Sequence, residues 1–183
     1  MTALTKSRMT VDEFIAWAAG MPGRHELHRG EVYAMSPESA GHAERKGALY
    51  LALRNAVSQK SVPCRVLPDG MTVRIDETTA YEPDAIVYCG AKIVGSALEV
   101  SNPLVIVEVL SPSTRSVDLS IKLAAYFQLP SVAHYLIVDP EQPSVIHHSR
   151  GAVGDIITRV VTEGAIQLDP PGIELTLDQI YAE

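Results

Sequence analysis

The most apolar stretch of the chain, Leu104-Val105-Ile106-Val107-Glu108-Val109-Leu110, has a carboxylate inside it. A run of this length, rich in β-branched residues and closed by Ser111-Pro112, predicts a central strand covered on both faces. The pattern changes on either side. Thr10-Val11-Asp12-Glu13 has the spacing of a capping box and predicts a helix to about Gly20. Glu26 to Ala34 reads as a hairpin turning near Arg29-Gly30. From Ser39 to Lys60 the period is helical, with Leu49, Ala52, Leu53, Ala56 and Val57 recurring at spacings of three and four. Pro63 and the turn Pro68-Asp69-Gly70 then break the chain. Met71 to Ile75 alternates like a half-buried strand, and Asp84 to Tyr88 is a short apolar one. A helix is expected from about Ser116 to Leu129, stopped by Pro130. Tyr135 to Val138 is another apolar strand, ended by Asp139-Pro140. Ser144 to His148 and Ile156 to Val161 read as more exposed strands, and Leu175 to Tyr181 as a closing helix. Strands interleaved with helices predict one three-layer α/β domain, and the hairpins make its sheet mixed.

The 183 residues fit a single domain, and 46% hydrophobic against 20% charged residues are proportions that support a core. A net charge of −7 argues against holding nucleic acid by bulk positive charge. It leaves room for an acidic enzyme that meets phosphate through a metal. Cys64 and Cys89 are too few for a disulfide scaffold or a cysteine zinc site, and a reduced compartment is the simpler expectation. Met1 to Arg8 is mixed and polar, with no apolar stretch of signal length after it. The Leu104–Leu110 run is too short to span a membrane. The expectation is a soluble, cytoplasmic protein without a membrane partner.

Two carboxylates stand out against their surroundings. Glu108 interrupts the apolar strand, and Asp84 opens another directly after Pro83. Burying an ionised carboxylate is expensive unless it is paired or binds metal. Taken singly, Glu108 could reach solvent at a strand end, and Asp84 could be a turn residue. On neighbouring strands the two would converge on one hard divalent cation, and Mg²⁺ suits one or two carboxylates, several waters and a substrate phosphate. A nearby cation would orient water or offset developing charge. The position sharing Glu108's face is 110, which is Leu110. The nearest candidate is Lys122 in the next helix. Asp118 lies one turn before it, so the plain alternative is an exposed salt bridge worth a few tenths of a kcal/mol.

Pro83-Asp84, then Val107 to Arg115, then Asp118-Leu119, Lys122-Leu123 and Tyr126, then Tyr135 to Pro140, occur in this order. The set resembles the Uma-type putative endonuclease family, within the PD-(D/E)XK nuclease superfamily. Glu26-Leu27 through Gly30-Glu31, with His42 beyond, match its N-terminal pattern, so the likeness spans roughly residues 10 to 140. The resemblance implies a restriction-endonuclease-like core, a mixed sheet flanked by helices, and Mg²⁺-dependent phosphodiester cleavage, with Mn²⁺ as a substitute. It implies Asp84 and Glu108 as metal-binding acids, the Val109 carbonyl as a further ligand, and Glu26 as an acid completing the shell. Leu110 departs from the superfamily's lysine position, which points to Lys122. His134, Leu136 and Arg29 also depart, in ways that bear on packing or substrate contacts.

His42 could touch phosphate or carry a proton, although a surface histidine at a helix start is the plainer expectation. Asp118 could hold Lys122 in place. His147 and His148 are adjacent on a strand, face opposite ways, and cannot chelate one ion together. The preferred reading is a metal-dependent nuclease acting on DNA. One rival is a binding or regulatory module that keeps the fold without efficient chemistry. The other is a metal-dependent hydrolase of a smaller phosphoester. A homodimer is expected, because the strands from Ser144 to Val161 could expose an edge that needs covering. Two copies could also collect Arg45, Lys46, Arg54 and Lys60 into a basic groove, unless these form an ordinary solvated helix face.

Overall fold

The computed structural model describes residues 8–111 and 118–182, with Asp118 described for its backbone only. Helix α1, Val11–Ala18, starts at the expected capping box: the Thr10 hydroxyl accepts from the Glu13 N–H, and the Glu13 carboxylate accepts from the Thr10 N–H. Strands β1, His25–His28, and β2, Glu31–Ala34, form the expected hairpin. Its two turn residues, Arg29 and Gly30, both have positive φ, as a tight two-residue turn requires. A Cβ on Gly30 would lie 2.8 Å from the Arg8 Cβ, so a side chain there has no room. Helix α2 runs Ala40–Lys60.

After α2 the chain makes β3, Cys64–Pro68, β4, Val73–Arg74, β5, Ala80–Tyr81, β6, Ala85–Cys89, and β7, Pro103–Val109. A π-helical turn, Asp118–Lys122, runs into a short helix α3, Leu123–Tyr126. The helix expected over Ser116–Leu129 is thus shorter and differently wound, and its start lies outside the described residues. Strands β8, His134–Val138, β9, Val145–Arg150, and β10, Ile156–Val161, follow the expected positions. The chain closes with a small hairpin of β11, Ala165–Leu168, and β12, Ile173–Thr176, then α4, Leu177–Tyr181.

The main sheet has the order β10-β9-β8-β7-β6-β3. Only β7 and β8 are parallel, so the sheet is mixed, as expected. A second sheet, β2-β1-β5-β4, has its own small core of Val11, Phe14, Leu27, Val32 and Ala80. Strand β7 shows why its sequence is apolar throughout. Val105, Val107 and Val109 pack toward α2, β11, β12 and α4, while Ile106 and Leu110 pack with Tyr126, Tyr135 and Ile137 on the other face. By the same alternation Glu108 belongs to the second face. The open edge expected between Ser144 and Val161 is β10, which is exposed along most of its length, Val160 to 65%.

Two expectations change here. Cys64 and Cys89 are joined in a disulfide, because β3 pairs with β6 in a register that sets them opposite each other. Their separation of 25 residues gave no hint of that register. Strand β3 itself was hidden by Pro63 and Pro68. It is the outermost strand of the main sheet, where proline at a strand end is tolerated.

His134 and His147 face each other on β8 and β9, with Nδ1 of the first 3.0 Å from Nε2 of the second. His134 Nε2 is 3.0 Å from the Pro170 carbonyl and must donate to it. His134 Nδ1 therefore accepts, His147 Nε2 donates, and both rings are neutral. Burial, helped by the neighbouring His134, pushes the His147 pKa from 6.5 to about 4, and burial also lowers that of His134. A folded pKa below the unfolded value means stability is fully present above about pH 6.5 and is lost as pH falls toward 4. His147→Gln keeps an N–H donor but cannot titrate. Its thermal midpoint should fall less steeply between pH 6.5 and 4 than that of the wild type, measured by calorimetry. Equal slopes would show that the pair does not drive acid lability.

Candidate functional site

Asp84 sits immediately before β6. Its N–H donates to the Val107 carbonyl at 3.0 Å, and its Oδ2 accepts from the Val109 N–H at 2.7 Å. The carboxylate is thereby fixed against the end of β7, next to Glu108. Burial alone would raise its pKa. The neighbouring His42 ring, the Val109 N–H and the Lys46 charge outweigh that and hold it below the usual carboxylate value.

Lys122 is 1% exposed. Its Nζ lies 2.8 Å from Glu108 Oε1 and 2.8 Å from Glu26 Oε1. The alternative of a solvated lysine is thus overturned, while the Asp118 side chain lies outside the described residues. Lys122 ends the π-helical turn, a feature frequent at functional sites because it re-aims side chains. Leu123 and Tyr126, beside it on the same helical segment, pack into the core, while Leu119 is 37% exposed. Tyr126 donates its hydroxyl to the same Glu108 Oε1 at 2.7 Å. Burial, and then the Glu108 charge, raise its pKa well above the ordinary value and keep it a donor. The Tyr81 ring lies 5.4 Å from the ammonium, a cation–π distance. Glu26 comes from β1 in the second sheet, where its Oε1 also accepts from the Glu82 N–H at 3.1 Å.

His42 is not a surface residue. Its Nε2 lies 3.8 Å from Asp84 Oδ2, because the first turn of α2 faces the strand ends. Lys46, one turn later, is buried. It lies 3.3 Å from Asp84 Oδ1 and 2.5 Å from Asp69 Oδ2, and also bonds Glu38. Arg24 joins the same network through Glu82 at 2.7 Å, Asp69 at 2.6 Å and Glu38 at 3.0 Å. The expected basic groove of Arg45, Lys46, Arg54 and Lys60 is therefore broken up. Lys46 belongs to the acidic cluster, and Arg45 caps the Ile180 carbonyl and stacks over the Tyr181 ring.

Glu38, His42, Asp84, Glu108, Val109 and Lys122 line one cleft of about 470 Å³. Glu38, His42 and Asp84 each offer a ligand atom, all within 4.8 Å of one another. Of the expected metal set, Asp84 thus meets Glu38 and His42 directly, while Glu26 meets Glu108 through Lys122. Glu38, Lys46, Arg24, Asp69 and Glu82 were missed. For Lys46 a signal existed: it extends the buried stripe of Leu49 and Leu53 backward by three residues.

The model of the Uma2 family, described as putative restriction endonuclease, matches residues 11–179. The uncharacterized protein slr1290 of Synechocystis sp. is 26% identical over 176 residues, covering 95% of this chain and 92% of its own. A second protein of that organism, sll1609, is 26% identical over 171 residues, covering 90% and 94%. A crystal structure of a putative nuclease belonging to DUF820, from Anabaena variabilis, superposes with a TM-score of 0.74. It is 13% identical, with 95% of this chain and 98% of the other covered, and it shows the shared fold. No helix among the described residues is long and apolar enough to cross a membrane.

Proposed function

Because the chain belongs to the Uma2 family of putative restriction endonucleases, we propose that it is an Mg²⁺-dependent endonuclease hydrolysing DNA phosphodiester bonds. The observation that carries this is a buried lysine held 2.8 Å from Glu108, in the same cleft as an Asp84 kept ionised by its surroundings. The donor set fits a hard cation: the carboxylates of Asp84 and Glu38 offer ligand atoms within 4.8 Å of each other, and Glu108 and Val109 line the same cleft. Bound there, Mg²⁺ would polarise a phosphoryl oxygen and lower the pKa of a water.

The protein's own groups do the rest. Val109 N–H and Lys46 orient the Asp84 carboxylate, and Tyr126 fixes one oxygen of Glu108. Lys122 donates to that oxygen and supplies positive charge against the negative charge that develops on phosphate as water adds and the ester P–O bond breaks. Glu26 positions Lys122 from the far side. His42, beside Asp84, is the titratable group placed to take the proton that the water loses.

The test is nicking of supercoiled plasmid by the purified chain. Cleavage with Mg²⁺ or Mn²⁺, abolished by EDTA, is expected. Plasmid left intact with either metal would favour a module that keeps the fold without the chemistry. Hydrolysis of bis(p-nitrophenyl) phosphate that excess duplex DNA fails to inhibit would favour a smaller phosphoester as substrate.

A further inference from the structure

A groove of about 690 Å³, larger than the acidic cleft, runs along the outer strand β3, walled by α2 on one side and by residues 92–97 on the other. Arg54, Arg65 and Lys92 line it, all exposed, and no carboxylate does. Among the described residues none of the three makes an ion pair. Arg65 spends one N–H on the Gly90 carbonyl at 3.0 Å, which leaves further guanidinium donors, and Arg54 stands over the Tyr50 ring at 5.7 Å. Three unpaired cations in one groove are conspicuous in a chain of net charge −7. By contrast Arg24, Lys46, Arg74 and Lys122 are all committed to carboxylates.

The groove is joined to the cleft by the geometry of α2. His42, Lys46, Tyr50, Arg54 and Ser58 recur every four residues and form one ridge that winds slowly around the helix, from the buried side at Lys46 to the exposed side at Arg54. The first two stand at Asp84, and the last three line the groove. Eight residues separate Lys46 from Arg54, a rise of about 12 Å, the scale of a few nucleotides of an extended strand.

We propose that the groove on β3 holds the phosphate backbone of a nucleic-acid strand whose scissile bond lies in the acidic cleft, with Arg54, Arg65 and Lys92 as the phosphate contacts. The proposal rests on the nuclease reading of the cleft. It reconciles an acidic protein with a polyanionic substrate: contact is local, through one basic groove, rather than through net charge.

The test compares the wild type with R54A/R65A/K92A, binding a fluorescein-labelled oligonucleotide by anisotropy. Ca²⁺ replaces Mg²⁺ so that binding is read without cleavage. The variant should bind at least about tenfold more weakly near 0.1 M salt, and its plot of log affinity against log salt should be shallower by about 2. Its hydrolysis of bis(p-nitrophenyl) phosphate, too small to reach the groove, should be unchanged. Equal affinity and equal salt slope in the two proteins would overturn the proposal, as would a wild type that binds no oligonucleotide. A wild type that binds through these residues yet hydrolyses no phosphodiester would uphold the groove and overturn the nuclease reading alone.

Discussion

Lys122→Met should lower plasmid nicking by about 10²- to 10³-fold, the loss typical when one preorganised donor to developing charge is removed. The same substitution should also leave a thermodynamic mark. Lys122 is 1% exposed and stands 2.8 Å from both Glu26 and Glu108. Removing it leaves two buried carboxylates without their shared cation, a change that typically costs about 3–5 kcal/mol. The metal-free variant should therefore melt well below the wild type. Mg²⁺ binding beside Glu108 would restore part of the lost charge balance, so the thermal midpoint of the variant should rise more on adding Mg²⁺ than that of the wild type. Nicking assays and calorimetry with and without metal check both parts. A variant that nicks at the wild-type rate would make Lys122 a structural ion-pair partner and leave the cleft's cation unidentified.

Asp84→Asn should lower Mn²⁺ affinity by at least about 10- to 100-fold, the loss seen even for groups one shell out from a metal. Nicking should fall with it. The fold should be spared, since the asparagine oxygen can still accept from the Val109 N–H, and Lys46 keeps Glu38 and Asp69. The cleft and its flank also gather six carboxylates, Glu26, Glu38, Asp69, Glu82, Asp84 and Glu108, against the cations Arg24, Lys46 and Lys122. Neutralising Asp84 gives up its attraction to Lys46, so the metal-free thermal midpoint should fall modestly while the fold stays intact. Titration calorimetry with Mn²⁺ decides: unchanged affinity would place the metal away from Asp84.

The long, strongly patterned elements were legible in the chain. The capping box at Thr10 and the turn at Arg29-Gly30 are local chemistry, α2 carries a helical spacing of apolar residues, and β7 is a continuous apolar run. The short strands β5, β11 and β12 were not, because two to four residues carry no period to read. Asp84 and Glu108 stood out as charges in apolar company. Lys122 was named as the nearest cation to Glu108, but spacing alone paired it as readily with Asp118, and the resemblance decided between the two. What decides its environment is the π-helical turn, which helical periodicity does not anticipate. His42 and Lys46 were read as surface groups. Their burial depends on where the N-terminal half of α2 meets the strand ends, a long-range fact, although their spacing to Leu49 and Leu53 was a usable hint.

Glu26 and Glu108 belong to different sheets, and one ammonium is gripped by both. The smaller sheet has its own core of Val11, Phe14, Leu27, Val32 and Ala80, and it is docked on the main sheet through Val73 and Tyr81, which pack with Ile86, Ile106 and Tyr126. A copy caught with that piece undocked has lost one of the two hands on Lys122. The lysine then no longer has a fixed place from which to act. If the chain cleaves as proposed, cleavage requires the two sheets to be docked on each other, because only then is the lysine held from both sides.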